Sequence, residues 1–308
     1  MSTTPRHGIS FIIPCFNCGS YILEAVESVT AQPLTIRFEI IVIDDGSDEE
    51  NTLAALHECS QRDAVRMVRL PANSGAQRAR TTGLRAARYE HVMVLDCDDL
   101  LCTDPAQLAA GTYPQQAVQI LTDDPEVAFV HTFSRMFGDF HGLTISAYPT
   151  DEASIVRKHH VPMPIVYRRR DGLAAGGYDP AIGKWQDWAF AIDLLATRYR
   201  RGAGNHVRCV PGPHHQYRIH TRWERLSTAQ TSELDMTTLV IERNLDYFQA
   251  ALHDRRPVED LARRVCESKP DRLTELLHMA AFDLDQALTV ATQREFTLSS
   301  PYEPLGIP

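Results

Sequence analysis

The chain has 308 residues with 44% apolar and 23% charged side chains, enough for one large globular domain with an appendage or for two modest domains. Its formal net charge of −9 excludes the basic surface that is typical of nucleic-acid-binding proteins. No apolar run approaches the ~18 residues that span a bilayer, and residues 1–8 lack a signal-peptide core, so we expect a cytoplasmic protein, with peripheral association at the inner face of the membrane as an alternative.

Up to residue 100, short apolar runs alternate with segments of helical periodicity. Strands are predicted at residues 9–13, 38–43, 65–70 and 91–95, and helices at 19–31, 52–60 and 73–88. Pro14 ends the first predicted strand. The alternation indicates βαβ units and therefore an α/β fold with a mostly parallel central sheet.

After residue 101 the pattern is less regular. We predict strands at 127–133, 165–168, 207–210 and 216–219, a helix at 188–199, and an irregular stretch at 142–163. From residue 228 to about 293 the periodicity is helical, with breaks near Pro257 and Pro270. Eight basic and fourteen acidic side chains from Thr228 onward give this tail a charge of −6, which disfavours docking on anionic lipid.

The seven cysteines are an odd number, which disfavours a secreted disulfide framework. Cys15 and Cys18 have the C-x-x-C spacing of redox and zinc sites, but no second pair follows in the chain to complete four ligands. We therefore interpret them as two reduced cysteines at the end of a strand. The pairs His159-His160 and His214-His215 are interpreted as loop histidines.

Two acidic clusters follow the second and fourth predicted strands: Asp44-Asp45-Gly46-Ser47-Asp48 and Asp96-Cys97-Asp98-Asp99. Ligands of such sheets bind beyond the carboxyl ends of the strands, and carboxylates placed there suit Mg²⁺ or Mn²⁺. Asp45 is positioned to accept a hydrogen bond from a nucleobase, and Gly46 would let the backbone approach a ligand. The alternative for both clusters is an acidic turn that caps the next helix, with Ser47 or Asp48 as the N-cap in the first.

Arg78 and Arg80 supply positive charge near the start of the third predicted helix. A guanidinium matches phosphate oxygens in bidentate fashion, so either side chain is a candidate to approach the base or a diphosphate. For Arg78 alone, an exposed helix arginine is the favoured interpretation.

Seven motifs in a fixed order resemble the inverting family-2 glycosyltransferases of the GT-A fold over residues 9–222. The segments that carry the resemblance are Ile12-Ile-Pro-Cys-Phe-Asn17, Val42-Ile-Asp-Asp-Gly-Ser47, Asn73-x-Gly75 with Ala79-Arg80 and Gly83, Leu95-Asp-Cys-Asp-Asp99, Gly176-Gly-Tyr-Asp179, Gln186-Asp-Trp188 and Tyr217-Arg-Ile-His220. The resemblance implies a GT-A domain over residues 1–225, with a nucleotide-sugar half (1–100) and an acceptor half (101–225). A helical C-terminal extension over residues 226–308 would follow.

The resemblance also implies roles for individual residues. Asp187 would be the general base, and Asp98, with His220 as a further candidate, would bind Mn²⁺ or Mg²⁺. The residues implied for the nucleotide-sugar site are Pro14, Phe16, Asn17, Asp45, Gly75, Arg78, Arg80, Asp96 and Cys97. The acceptor candidates are Trp185, Gln186 and Trp188.

Three positions depart from the family pattern. Thr81 replaces an asparagine and Cys97 fills the middle of the metal motif, and we interpret both as tolerable changes at variable or outward positions. Gln186 replaces the glutamate before the base, which would loosen acceptor recognition or shift the pKa of Asp187.

The expected reaction is metal-dependent transfer of a sugar from a nucleotide-diphosphate donor to an acceptor hydroxyl, with inversion, in bacterial-type polysaccharide or glycoconjugate synthesis. UDP is the expected nucleotide, with dTDP and GDP open, and the acceptor is a glycan, a lipid-linked molecule or a small molecule. A catalytically impaired nucleotide-sugar-binding protein is the main alternative, and a sugar nucleotidyltransferase is a weaker one. The C-terminal helices are open to roles as a homodimer contact, a partner platform or a lid.

Overall fold

The computed structural model describes residues 6–144, 151–157, 164–220, 232–269 and 272–298. The strands of this part of the chain are β1 (Arg6–Cys15), β2 (Phe38–Asp44), β3 (Val65–Arg69), β4 (Tyr89–Val94), β5 (Leu100–Leu101), β6 (Val127–Gly138), β7 (Gly142–Thr144), β8 (Val166–Arg168) and β9 (His206–Ile219). The helices are α1 (Tyr21–Thr30), α2 (Glu50–Ser60), α3 (Ala76–Ala86), α4 (Pro105–Ala109), α5 (Tyr113–Asp123), α6 (Glu152–Val156), α7 (Arg169–Ala174), α8 (Gln186–Arg200), α9 (Glu233–Arg243), α10 (Leu245–Ala251), α11 (Val258–Glu267), α12 (Arg272–Phe282) and α13 (Leu284–Leu298).

The described strands form one sheet in the order β3-β2-β1-β4-β8-β6-β9-β5, with β7 on the side of β6. The strands from β3 to β4 are parallel, whereas β8 is antiparallel to both of its neighbours. The chain proceeds from β1 to β2 on one side and later returns to β4 on the other. The crevice beyond the carboxyl ends of β1 and β4 is therefore the switch point at which such sheets bind ligands.

Both faces of the sheet are buried. Side chains alternate between the two faces along each strand, so one strand contributes to two apolar cores. Ile9, Phe11 and Ile13 of β1 face one apolar core, and Ile12 faces the other, which also contains Ala79 of α3 and much of α8. Each fully buried residue of this kind contributes about 1.5–3 kcal/mol relative to an exposed one. The predicted α/β fold with a mostly parallel first half is confirmed.

Several predicted boundaries were wrong. β1 continues through Pro14 to Cys15, because a proline near the strand end gives up little of the pairing. The two strands predicted at 207–210 and 216–219 are one strand, β9. Its register against β6 shifts between Val210 and His215, so the intervening prolines lie in a bulge rather than ending the strand.

Other elements were not predicted. The stretch at 142–163 was expected to be irregular, yet it contains β7 and α6, while residues 145–150 and 158–163 lie outside the described residues. α5 was also missed, although it has a sequence signal: Thr112 accepts a hydrogen bond from the backbone N–H of Gln115, and Pro114 stands in the first turn.

The C-terminal helices pack directly on the sheet-containing part of the chain. Ile241, Phe248 and Leu261 share the core of α8, and Met279 and Val290 contact a smaller core with Phe133 of β6. The predicted break at Pro257 is confirmed as the start of α11, whereas Pro270 lies outside the described residues. Among the helices that the structure describes, none is both long enough and apolar enough to cross a membrane.

Candidate functional site

The acidic segment after β4 lies at the switch point. Asp96 and Asp98 each have a side chain that is 33% exposed, whereas Asp99 is buried. Burial, followed by the nearby charges of Asp99 and Asp96, raises the pKa of Asp98 to about 7. Asp96 and Asp98 are thus partly exposed carboxylates at the crevice, where their oxygens are accessible to a cation.

His220, at the end of β9, reaches the same place. Its Nε2 lies 3.2 Å from Oδ2 of Asp98, although the two residues are 122 positions apart in the chain. One carboxylate and one imidazole fit part of the shell of a divalent cation such as Mn²⁺, whereas Mg²⁺ prefers oxygen ligands throughout. The structure thus brings Asp98 and His220 together, and their side chains are compatible with the divalent cation that the sequence predicts.

Arg80 links Asp96 to the start of α8. Its guanidinium donates to Asp96 Oδ1 at 2.6 Å and to Gln186 Oε1 at 2.7 Å, and it lies 5.5 Å from the centre of the Tyr178 ring. The side chain is only 4% exposed. The geometry gives Arg80 a bracing role between the two halves of the site, and a direct contact with a nucleotide stays a prediction.

Asp187 lies in the first turn of α8, which begins after Trp185 in a left-handed conformation (φ 57°). Burial raises the pKa of the Asp187 carboxyl to about 6, while the charge of Arg80 lowers it and that of Asp96 raises it. No side chain that the structure describes donates a hydrogen bond to this carboxylate. A half-buried carboxylate with this pKa is suited to accept a proton near neutral pH.

The acceptor candidates on either side of Asp187 have different environments. Trp188 is 2% exposed, and its indole N–H donates to the backbone oxygen of Ile155, so the prediction that it binds an acceptor was wrong. It is the first core residue of α8. Trp185 is half-buried beside Lys184, whose ammonium lies 4.8 Å from the ring centre, and Gln186 is occupied by Arg80.

Asp45 at the end of β2 is buried and hydrogen-bonded by the loop before α3. One oxygen accepts from the backbone N–H and hydroxyl of Ser74, and the other accepts from the backbone N–H of Gly75. Gly46 (φ 81°) passes so close to this loop that an added Cβ would lie 2.7 Å from the backbone of Ala72. The positive φ of Gly46 agrees with the predicted sharp turn, while its approach to a ligand and the base contact of Asp45 stay predictions.

The loop after β1 is also held by backbone contacts. The side-chain oxygen of Asn17 accepts hydrogen bonds from the backbone N–H groups of Asp48 and Glu49. Asn17 thus binds the start of α2 although it lies far from this helix in the chain. The predicted caps Ser47 and Asp48 were wrong, because the N-cap is Glu49 and it makes no side-chain cap bond. Phe16 is 42% exposed beside this loop, where a flat ligand can reach it.

Three other sequence interpretations can be compared with the structure. Arg78 is exposed on α3, in agreement with its favoured interpretation. Thr81 is not outward: it is buried and exchanges two hydrogen bonds with the backbone of Tyr178. Cys97 is not outward either, since its sulfur lies near those of Cys15 and Cys18, so a side-chain contact with the donor does not fit this structure.

A buried chain of polar groups under the acidic segment was missed from the sequence. His215 bonds Asp99 through Nε2 at 3.1 Å and Ser134 through Nδ1 at 2.8 Å, and the backbone N–H of Arg218 donates to Asp99. His214 and His215 are thus buried strand residues rather than loop residues, and His159-His160 lie outside the described residues. The only sequence signal was the acid Asp99 itself.

Comparisons with known proteins agree with this geometry. The family model described as glycosyl transferase family 2 matches residues 10–165, just over half of the chain. A succinoglycan biosynthesis protein, ExoO of Rhizobium meliloti, is 28% identical over 70% of this chain and 61% of its own length. An uncharacterized glycosyltransferase of Haemophilus influenzae is 25% identical over 61% of this chain and 62% of its own. The chain thus spans less than two thirds of these relatives.

A solved structure shares the fold. S. aureus TarS, residues 1–349, in complex with UDP-GlcNAc, has a TM-score of 0.60 and 17% identity, with 95% of this chain and 76% of that chain covered. The acidic segment, the base candidate and the GT-A arrangement of the sheet are the features expected of the matched family. The chain therefore belongs to glycosyl transferase family 2.

Proposed function

We propose that this protein is an inverting glycosyltransferase that moves a sugar from a nucleotide-diphosphate donor to an acceptor hydroxyl. The observation that carries the proposal is that Asp96 and Asp187 flank Arg80 at the switch point, next to the pair formed by Asp98 and His220. UDP is the proposed nucleotide, because the neighbouring fold of TarS was solved with UDP-GlcNAc. The acceptor is a hydroxyl-bearing glycan, lipid-linked molecule or small molecule.

Asp187 acts as the general base in this proposal. Its carboxylate takes the proton of the acceptor hydroxyl while that oxygen forms a bond to the anomeric carbon and the bond from this carbon to the diphosphate oxygen breaks. The nucleoside diphosphate leaves with the bonding electrons, and a single displacement inverts the anomeric centre. A positioned base of this kind contributes roughly 10²–10⁴-fold to a rate.

Asp98 and His220 would hold the metal ion. When bound, Mn²⁺ or Mg²⁺ would supply Lewis-acid stabilisation of the negative charge on the leaving diphosphate. The donor chemistry of this pair and the raised pKa of Asp98, which a bound cation would lower, support the assignment.

Arg80 connects binding to catalysis. It pairs with Asp96 on the donor side, and its charge lowers the pKa of Asp187 against the effect of burial. The base thereby stays ionised at neutral pH. Gln186 accepts from Arg80 without adding a second negative charge, so the guanidinium is left to balance Asp96 and Asp187.

Calorimetric titration tests the donor site directly. UDP, dTDP and GDP are each titrated with Mn²⁺ and with EDTA into the wild-type chain, Asp98→Ala, and Asp123→Ala, an exposed carboxylate on α5 that serves as the matched control. We expect one nucleotide to bind in the presence of metal, and this binding to be lost in Asp98→Ala and kept in Asp123→Ala.

Two results would count against the proposal. If no nucleotide binds under any metal condition, the donor site is wrong. If a nucleotide binds but the nucleotide-sugar is neither transferred to acceptors nor slowly hydrolysed, the impaired-binding alternative replaces the enzyme.

A further inference from the structure

Three cysteines from two separate parts of the chain meet beside the carboxylates of the acidic segment. The sulfurs of Cys15, at the end of β1, Cys18, before α1, and Cys97, after β4, all lie within 4.8 Å of one another. Cys15 and Cys18 are buried, and Cys97 is half-buried. The sequence offered only the Cys15–Cys18 pair, and the third sulfur comes from a different strand. We call these three residues the thiol cluster.

We propose that the thiol cluster is a binding site for one thiophilic metal ion, with Zn²⁺ as the physiological candidate. Thiolates are the ligands that soft and borderline cations select, and C-x-x-C is a common spacing in zinc sites. This site is separate from the site of Asp98 and His220, which offers one carboxylate and one imidazole and no sulfur. The proposal does not rest on the glycosyl transfer proposed above.

The backbone around the cluster is arranged as a ligand turn. Asn17 (φ 47°) and Gly19 (φ 60°) are both left-handed, which bends the chain so that two cysteines three positions apart face the same point. The backbone of Cys18 hydrogen-bonds the Cys15 sulfur, and that of Ile22 hydrogen-bonds the Cys18 sulfur. N–H donors aimed at sulfur stabilise thiolates, which are the form that binds metal.

The distances require a small adjustment. The sulfurs of Cys15 and Cys18 are 2.8 Å apart. Zinc–sulfur bonds of ~2.3 Å at tetrahedral angles place two sulfurs about 3.8 Å apart, so the pair would open by about 1 Å. Cys97 is the least buried of the three, and in this proposal a water supplies the fourth ligand.

A metal here would also stiffen the donor site. Cys97 stands between Asp96 and Asp98, so fixing its sulfur to those of Cys15 and Cys18 ties the ends of β1 and β4 together. The carboxylates of Asp96 and Asp98 would then keep their spacing while ligands bind to the donor site and leave it.

Cobalt is the probe that tests the site, because thiolate-bound Co²⁺ has a sulfur-to-metal charge-transfer absorption that carboxylate-bound Co²⁺ lacks. The full chain is kept under a non-thiol reductant and titrated with Co²⁺ and then Zn²⁺. We expect one equivalent of Co²⁺ to give the absorption and one equivalent of Zn²⁺ to abolish it. The signal should persist in Asp98→Ala, which separates it from the carboxylate site.

Variants assign the sulfurs. Cys15→Ser and Cys97→Ser should lose the absorption, and Cys266→Ser, on α11 outside the cluster, should keep it; circular dichroism checks that each variant is folded. A second variant that replaces Cys59, Cys102, Cys209 and Cys266 together should retain full binding. The proposal is overturned if the reduced wild-type gives no charge-transfer absorption, if folded Cys97→Ser keeps it, or if Cys15 and Cys18 are found joined in a disulfide under reductant.

Discussion

Two acidic strand ends of similar sequence have different roles in this molecule. After β2, Asp44 accepts from the backbone N–H of Ser47, and Asp45 accepts three hydrogen bonds from Ser74 and Gly75. After β4, Asp96 and Asp98 are one-third exposed, and they pair with the side chains of Arg80 and His220, respectively. Asp44 and Asp45 of the first cluster are buried and held by backbone donors, whereas Asp96 and Asp98 of the second remain partly exposed.

The difference comes from what packs against each strand end. The loop before α3 folds back over β2. Because Gly46 has no side chain, the N–H groups of this loop come close enough to donate hydrogen bonds to Asp45. At the end of β4, the backbone N–H of Arg218 reaches the buried Asp99, whereas Asp96 and Asp98 meet the side chains of Arg80 and His220. An acidic turn thus becomes structural where backbone donors reach it and becomes a candidate reaction site where they do not.

The largest effect is expected from a substitution of Asp187, the proposed base. Asp187→Asn keeps the shape of the side chain but cannot take a proton, so sugar transfer should fall by about 10²–10⁴-fold. Nucleotide affinity, measured by calorimetry, should change little, because the proposed role of Asp187 is toward the acceptor hydroxyl and not toward the nucleotide. Asp193→Asn, on the same helix but paired with Asn244 and Arg243, is the control and should keep its activity. Transfer at wild-type rate by Asp187→Asn would remove the base from the mechanism.

A stability experiment contrasts the two clusters. Asp45→Ala leaves two backbone N–H groups and one hydroxyl of the α3 loop without their acceptor, which costs about 1–3 kcal/mol and lowers the melting temperature by several degrees. Asp98→Asn should raise it at pH 8 in EDTA. Since the folded pKa of Asp98 lies above the unfolded value, its charged form destabilises the fold at that pH. Equal losses in both variants would erase the distinction between the clusters.

The pH dependence of transfer should report the carboxyls of Asp187 and Asp98. Asp187, with a pKa of about 6, must be ionised to act, so the rate should fall roughly tenfold per pH unit below that value. Asp98, with a pKa of about 7, must be ionised to bind metal, so at low Mn²⁺ the fall should begin at higher pH. Raising the Mn²⁺ concentration should move the acid limb of Asp98 toward lower pH, until the pH profile shows the acid limb of Asp187 alone. A limb that is independent of Mn²⁺ would contradict the role of Asp98.

The smallest effect concerns the departure from the family pattern. Gln186→Glu places a second carboxylate on Arg80 beside Asp187, and like charge raises the pKa of the base. We expect the acid limb to move to higher pH, while the rate on the alkaline plateau changes less than about tenfold. Gln61→Glu, exposed at the end of α2, is the control. An unchanged profile would mean that Arg80 does not transmit charge between the two positions.

The order of elements in the first hundred residues could be predicted from the sequence because strand and helix periodicity are local. Ile9, Phe11 and Ile13 alternate with Ile12 across the sheet as a buried strand requires, and the acids of β2 and β4 mark strand ends without any knowledge of neighbours. Prediction failed where a local rule met a distant partner. The prolines in β9 lie in a bulge against β6. Trp188 was predicted to bind an acceptor, although its indole N–H donates to the backbone oxygen of Ile155.

The sequence by itself determined the family, the α/β fold and the acids that are available for chemistry. Tertiary structure alone decided that Asp45 belongs to a loop, that Arg80 joins Asp96 to Gln186, and that Cys97 turns inward to two other sulfurs. The physical reason is that charge and hydrogen-bonding capacity are fixed by composition, whereas their satisfaction depends on which backbone donors and side chains packing brings within about 3 Å.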